Sequence, residues 1–213
     1  MINKLVVNRF LTIPVFDQSP PSPDPTFPAD FVRALGRIYN IEESETSGPL
    51  YNRAKTSQIS VGGHATKAHR TFRWLPWVLG KVSCVPLAGA DILTGTMSGC
   101  WLVIFQYNGK SYAGHIGTDT SATSANTLQA RAAWRNAVNG NVITPVKAFN
   151  PVGNSLPALG TLNIKTDSPE FYGAFTANGD VYTVVFGAPG HGGSKRRIAR
   201  VVKMPTTQDV TAF

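Results

Sequence analysis

Residues Ser98 to Gly117 read SGCWLVIFQYNGKSYAGHIG. Strand-forming residues flank Asn108-Gly109, the dipeptide that best supports a two-residue type I′ turn between antiparallel strands. With that pair as the turn, Tyr107 faces Lys110, Gln106 faces Ser111, Ile104 faces Ala113, Leu102 faces His115 and Cys100 faces Gly117. Residues opposite each other share a face of the sheet, and so do residues two apart on one strand. Cys100 therefore shares its face with Leu102, and Leu102 with His115. A thiol and an imidazole emerge from one side as diagonal neighbours, with Cα atoms roughly 7–8 Å apart. A slip of one residue would send them to opposite sides.

Outward from this hairpin the chain keeps favouring strands. Twenty glycines and fifteen prolines in 213 residues imply many turns. A first strand is expected over residues 5–16. It ends at the proline-rich surface segment 17–30, where Pro20, Pro21, Pro23, Pro25 and Pro28 rule out regular helix or sheet. Phe31, Leu35 and Ile38 then recur at helical spacing, with Pro28 and Asp30 suited to a first turn. Residues 58–61 and 78–87 read as strands, and Trp74 and Trp77 read as core. SANTLQARAAWRNAVNG, residues 124–140, is the clearest helix. Ser124 is its N-cap, Gly140 lies past its end, and Ala130, Ala133, Trp134, Ala137 and Val138 form its apolar stripe. Strands resume over 142–149. A second hairpin, residues 171–187, turns at Asn178-Gly179, and a last strand covers 198–202. Many strands with two or three helices predict one α+β domain over residues 1–213, a layered α/β sandwich of mostly antiparallel or mixed sheets with a few flanking helices.

Composition narrows the function classes. Hydrophobic residues make up 42% and charged residues 15%, a balance that builds a packed core rather than a disordered chain. The net charge of +8 favours acidic partners, whether nucleic acid, an anionic membrane face or an acidic protein. No RNP-like aromatic pattern or helix-turn-helix signature accompanies it, so nucleic acid is not the expected partner. Cys84 and Cys100 are too few for a secreted disulfide framework. Two reduced thiols are expected, with a single bridge as the alternative. No CxxC or HExxH occurs, so neither a metal nor another cofactor is expected. The opening MINKLVVNRFLTIPVF lacks the apolar core and cleavage site of a secretory signal, and no stretch is long enough for a membrane-spanning helix. Synthesis in a cytosol is expected, with any export by a dedicated route.

The Cys100–His115 pair suggests chemistry. A thiolate is the nucleophile, and a nearby imidazole takes and returns its proton. Gly99, lacking a Cβ, leaves room for a substrate carbonyl, and the Cys100 amide can face a developing oxyanion. Two buried residues on a central hairpin would give the same pattern. Cys84, in KVSCVPLA, reads as core, and His64 and His69 read as surface. His191, in a glycine-rich loop, is either a substrate contact or an ordinary turn. Lys195, Arg196, Arg197, Arg200 and Lys203 form the densest basic cluster, either a docking surface or a solvated strand face.

MSGC, then a hairpin, then HIGT resembles the catalytic core of the cytotoxic necrotizing factor and Burkholderia lethal factor family of Cys-His glutamine deamidases. Ser98, Gly99, Cys100, His115, Gly117 and Thr118 match its motifs. Met97 replaces a leucine, and Ile116 a threonine. Chemoreceptor glutamine deamidases, similar in fold, place a threonine six positions before the cysteine, where this chain has Thr94. The resemblance spans residues 94–118, and elsewhere it is one of length and element order.

The resemblance implies that Cys100 attacks a glutamine carboxamide of a target protein while His115 protonates the departing ammonia. A thioester remains, and water activated by His115 then releases glutamate. With an amine in place of water, the site would act as a transglutaminase. Thr94 would orient the imidazole, although Thr96 and Ser98 offer alternative hydroxyls and the necrotizing factors use a backbone carbonyl. Ser98 and Gly99 would contact the substrate and its oxyanion. The family further implies a monomeric bacterial toxin or effector, made in the bacterial cytoplasm and delivered to the host cytosol. Its host protein substrate would carry a reactive glutamine, as in a translation initiation RNA helicase of the 4A type or a Rho-family GTPase. Two competing readings are a non-catalytic basic binding module acting through SKRRIARVVK, and a cysteine peptidase. The peptidase arrangement places its cysteine at a helix N-terminus, whereas Cys100 opens a strand.

Overall fold

The computed structural model describes residues 1–13, 24–34, 37–47, 53–61, 70–153, 169–189 and 195–205. After a 3-10 turn at Ile2–Lys4 come β1 (Phe10–Thr12), β2 (Phe31–Arg33), β3 (Ile38–Ser47), β4 (Arg53–Val61) and β5 (Thr71–Trp74). Next are β6 (Val82–Pro86), β7 (Asp91–Met97), β8 (Trp101–Tyr107) and β9 (Lys110–Ile116). The helix α1 (Ala125–Asn139) precedes β10 (Thr144–Phe149), β11 (Glu170–Phe175), β12 (Val181–Pro189) and β13 (Lys195–Lys203).

Eight of these strands close into a barrel in the order β1-β13-β12-β11-β7-β5-β3-β4, sealed by the parallel pairing of β1 with β4. Every barrel strand sends residues to one interior cluster, including Leu11, Ile41, Ile59, Phe72, Leu93, Tyr172, Phe186 and Ile198. The other five strands form a sheet in the order β10-β8-β9-β6-β2. One face of that sheet packs on the outside of the barrel, where Leu102, Ile104, Ala113 and Phe149 meet Ile92, Phe175, Val185 and Ala199. Its other face carries Phe31, Cys84, Val103, Phe105 and Tyr112 against the helix residues Ala130, Ala133, Trp134 and Ala137. The result is barrel, sheet and helix in three layers.

The helix matches its sequence signals. Ser124 Oγ accepts the Thr127 amide at 3.1 Å, and the stripe from Ala130 to Ala137 is the buried face, with Thr127 added to it. The central hairpin also matches. Leu102 lies opposite His115 and Tyr107 opposite Lys110, across a turn in which Asn108 (φ 47°) and Gly109 (φ 72°) both take the left-handed conformation of a type I′ reversal. Its ladder ends at Trp101 opposite Ile116, so Cys100 precedes the strand and does not pair with Gly117. The second hairpin has a wider turn, with Phe175 opposite Val181 and the Thr176 amide bonded to the Asp180 carbonyl.

The layered α/β sandwich with flanking helices is overturned. The chain is mostly β, and among the described residues it has one α-helix beside the closed barrel. Of the helix expected from Phe31, Leu35 and Ile38, Phe31 lies instead in β2 and Ile38 in β3, and Leu35 lies outside the described residues. Asp30 takes φ 65°, which a right-handed helical turn excludes, and its carboxylate pairs with Lys81. Beyond it, Tyr39, Asn40 and Ile41 are buried while Ile38 is 49% exposed, so Ile38 does not share the buried face of Phe31 that a helix would require. The first expected strand shortens to Phe10–Thr12, and the strand over 78–87 shortens to Val82–Pro86. Residues 14–23, within or beside the proline-rich segment, lie outside the described residues, and 24–30 form turns. No helix among the described residues is long and apolar enough to cross a membrane.

Candidate active site

The interface between barrel and sheet contains a small polar island. Thr94 on β7 lies opposite Gly173 on β11, and His115 on β9 lies opposite Leu102 on β8. Because Gly173 has no side chain, Leu102 can press into the barrel wall: a Cβ there would stand 2.0 Å from Leu102 Cδ1. The two layers close up at this point, and Thr94 Oγ1 comes within 2.8 Å of His115 Nδ1. Both side chains are fully buried. The second ring nitrogen, Nε2, has no hydrogen-bond partner among the described residues. Burial alone lowers the His115 pKa to about 3, so the imidazole is neutral at physiological pH.

Cys100 belongs to the same interlayer cluster as Leu102, so it shares the barrel-facing side with His115. Its thiol bonds to Thr118, just past β9, rather than to the imidazole. Cys100 Sγ donates to the Thr118 carbonyl at 3.3 Å, and the Thr118 hydroxyl donates back to Sγ at 3.5 Å. Burial raises the thiol pKa, and hydrogen bonds from Thr118, from the Ser98 backbone and from Trp77 oppose that rise. The resting pair is thus a neutral thiol and a neutral imidazole, each more than nine-tenths buried. A neutral imidazole retains a lone pair and can act as a base.

Gly99 faces open space, since a Cβ built on it meets nothing within 4 Å. Ser98 and Thr96 are exposed, so of the three candidate hydroxyls it is Thr94 that bonds the imidazole. Asn150, just after β10, ties a neighbouring turn to this segment. Its Oδ1 accepts the Val152 and Gly153 amides at 2.9 and 2.8 Å, which leaves Nδ2 to reach the Gly99 carbonyl at 3.4 Å. That carbonyl and the Cys100 amide belong to one planar peptide unit, so the bond biases where the amide points.

Thr118, Trp77 and Asn150 carry roles around the sulfur that spacing alone did not reveal. Thr118 and Asn150 follow strand ends, and Trp77 precedes β6 by several residues. The pairing of β8 with β9 and β10, and of β9 with β6, brings the ends of these strands to Cys100.

Cys84 is free and buried on the helix-facing side, where burial pushes its thiol to about 12. Trp74 is buried in the barrel, while half-buried Trp77 donates its Nε1 hydrogen to the Thr118 carbonyl at 3.1 Å. The basic cluster is partly neutralised: Arg196 pairs with Glu170 at 2.8 Å, Lys203 with Asp180 at 2.8 Å, and Arg197 donates to Asn8. His64, His69 and His191 lie outside the described residues. Among the described residues, no group of three or more His, Cys, Asp or Glu side chains is placed to hold a metal ion. Compared with protein-family models and with curated proteins, the chain matches none.

Proposed function

We propose that this chain is a cysteine-dependent protein glutamine deamidase in which Cys100 is the nucleophile, His115 the proton carrier and Thr94 the residue that orients the imidazole. The observation that carries the reading is the 2.8 Å Thr94–His115 bond, which fixes one ring nitrogen and leaves the other unpartnered on the face that Cys100 shares.

The chemistry follows from the neutral resting state. As Sγ attacks the carboxamide carbon, Nε2 takes the thiol proton, so the thiolate develops only as the new C–S bond forms. The Cys100 amide, beside the open space at Gly99, faces the developing oxyanion. The proton held by His115 then passes to the amide nitrogen, the C–N bond breaks, and ammonia leaves a thioester. Water gives a proton to Nε2 as its oxygen attacks. Collapse of the tetrahedral species breaks the C–S bond and returns that proton to sulfur, leaving glutamate. Substrate enters where Ser98 is exposed and Gly99 half-buried, beside the turn that Asn150 secures.

The biological setting comes from the resemblance: a bacterial toxin or effector acting on a host protein, with a 4A-type RNA helicase or a Rho-family GTPase as substrate. The test treats host lysate and each of these purified proteins with wild-type chain and with Cys100→Ser. The reading requires ammonia release and an amide-to-acid mass change at a discrete glutamine with wild type, and neither with the variant. Equal modification by both proteins, or none by wild type across lysate and purified targets, overturns it.

A further inference from the structure

We propose that Thr118 is a positioning residue for the Cys100 nucleophile, holding the sulfur through both its hydroxyl and its carbonyl. The inference deepens the deamidase reading and rests on its assignment of Cys100.

Two opposed contacts meet at one sulfur. The Cys100 S–H donates to the Thr118 carbonyl at 3.3 Å, a bond that only the protonated thiol can make. The Thr118 hydroxyl donates to Sγ at 3.5 Å, a bond that strengthens when the sulfur becomes negative. One residue thus holds the thiol in place at rest and greets the charge that appears during attack.

Thr118 is itself held from both sides. Trp77 Nε1 donates to its carbonyl at 3.1 Å. The next residue, Asp119, grips the start of α1: its carboxylate accepts from Ser121 N at 2.7 Å, from Thr127 Oγ1 at 3.1 Å and from the Ser124 hydroxyl. Its own amide donates to Thr127 Oγ1 at 3.1 Å. Thr118 is 2% exposed. A clamp of this construction fixes the sulfur against the hairpin base rather than following a loose loop. The groups acting on the thiol besides burial are Thr118, Ser98 and Trp77, with no charged side chain among them, and His115 lies on the same face of the sheet.

The test follows alkylation of Cys100 by iodoacetamide, in which sulfur displaces iodide, across a pH series with peptide mapping to separate Cys100 from Cys84. In Thr118→Val, nearly the same shape without the hydroxyl, the midpoint should rise by about one pH unit, a tenfold fall in rate at a fixed pH below it. Thr118→Ser should keep the wild-type midpoint. If Thr118→Val does not fold, Thr118→Ala replaces it in the same comparison. A purely structural role would loosen the site and speed alkylation at every pH without moving the midpoint. An unmoved midpoint in the hydroxyl-free variant, or an equal rise in Thr118→Ser, overturns the proposal. The readout needs no protein substrate, so a shifted midpoint in a chain that releases no ammonia counts against the deamidase reading and not against the clamp.

Discussion

Thr94 and His115 stand 21 positions apart in the chain and on different sheets, yet their hydroxyl and ring nitrogen lie 2.8 Å from each other. That bond crosses the boundary between barrel and sheet. It joins the layer that carries the sulfur to the wall behind it, and it sets which nitrogen of the imidazole remains for chemistry.

Removing the Thr94 hydroxyl should be costly. In Thr94→Val both nitrogens of a fully buried imidazole lack a partner, which costs about 1–3 kcal/mol in urea unfolding. Thr94→Ser keeps the hydroxyl that accepts from Nδ1–H and should recover most of that loss. Equal stability of wild type and Thr94→Val would show that the bond contributes nothing.

His115 should also leave a mark on acid stability. Its folded pKa of about 3 lies below the ordinary histidine value of 6.5, so between those values the unfolded chain binds a proton that the folded chain does not. Stability then rises with pH across this window and is lost as pH falls from about 6.5 towards 3, by on the order of 5 kcal/mol when complete. His115→Gln should flatten that slope. The depressed carboxylates of Asp24, Glu43, Asp119 and Asp180 act at lower pH and in both proteins, so the difference between the curves isolates the histidine. Parallel stability curves above pH 4.5, the ordinary glutamate value, would contradict this assignment.

Two glycines near the site should behave oppositely. A Cβ on Gly117 would stand 1.9 Å from the Val78 carbonyl, a backbone atom, so Gly117→Ala should cost about 3 kcal/mol or more. A Cβ on Gly99 meets nothing within 4 Å, so Gly99→Ala should change stability by no more than about 0.5 kcal/mol. Any loss of activity in Gly99→Ala would then reflect crowding of substrate rather than damage to the fold. Thermal unfolding of the two variants separates these outcomes.

The local signals and the long-range ones differed in how far they could be read. Asn108-Gly109 fixed the register that puts Leu102 opposite His115, and Ser124 and Gly140 framed the one described α-helix, because turn and cap chemistry is local. The barrel was not legible. Its closure depends on β1 meeting β13 and β4, strands far apart in the chain, and no short stretch encodes that meeting. The helical spacing of Phe31, Leu35 and Ile38 misled because three points cannot outweigh the backbone turn at Asp30 and the pairing of β2 with β6 and of β3 with β4 and β5. At the site, Cys100 and His115 could be placed on one face by counting. Thr118 stood out only as a motif match, and Trp77 and Asn150 could not be assigned a place around the sulfur, since the pairing of β10 with β8 and of β6 with β9 joins strands that no short stretch connects.

The most direct test of the central claim uses a glutamine peptide in which a chloromethyl ketone replaces the carboxamide. Sulfur displaces chloride, and peptide mapping locates the adduct. If Cys100 is a nucleophile served by His115, wild type should acquire one adduct, on Cys100, with Cys84 unmodified, and His115→Gln should react at least about a hundredfold more slowly. An adduct on another residue, or the same Cys100 rate with and without the imidazole, would contradict it.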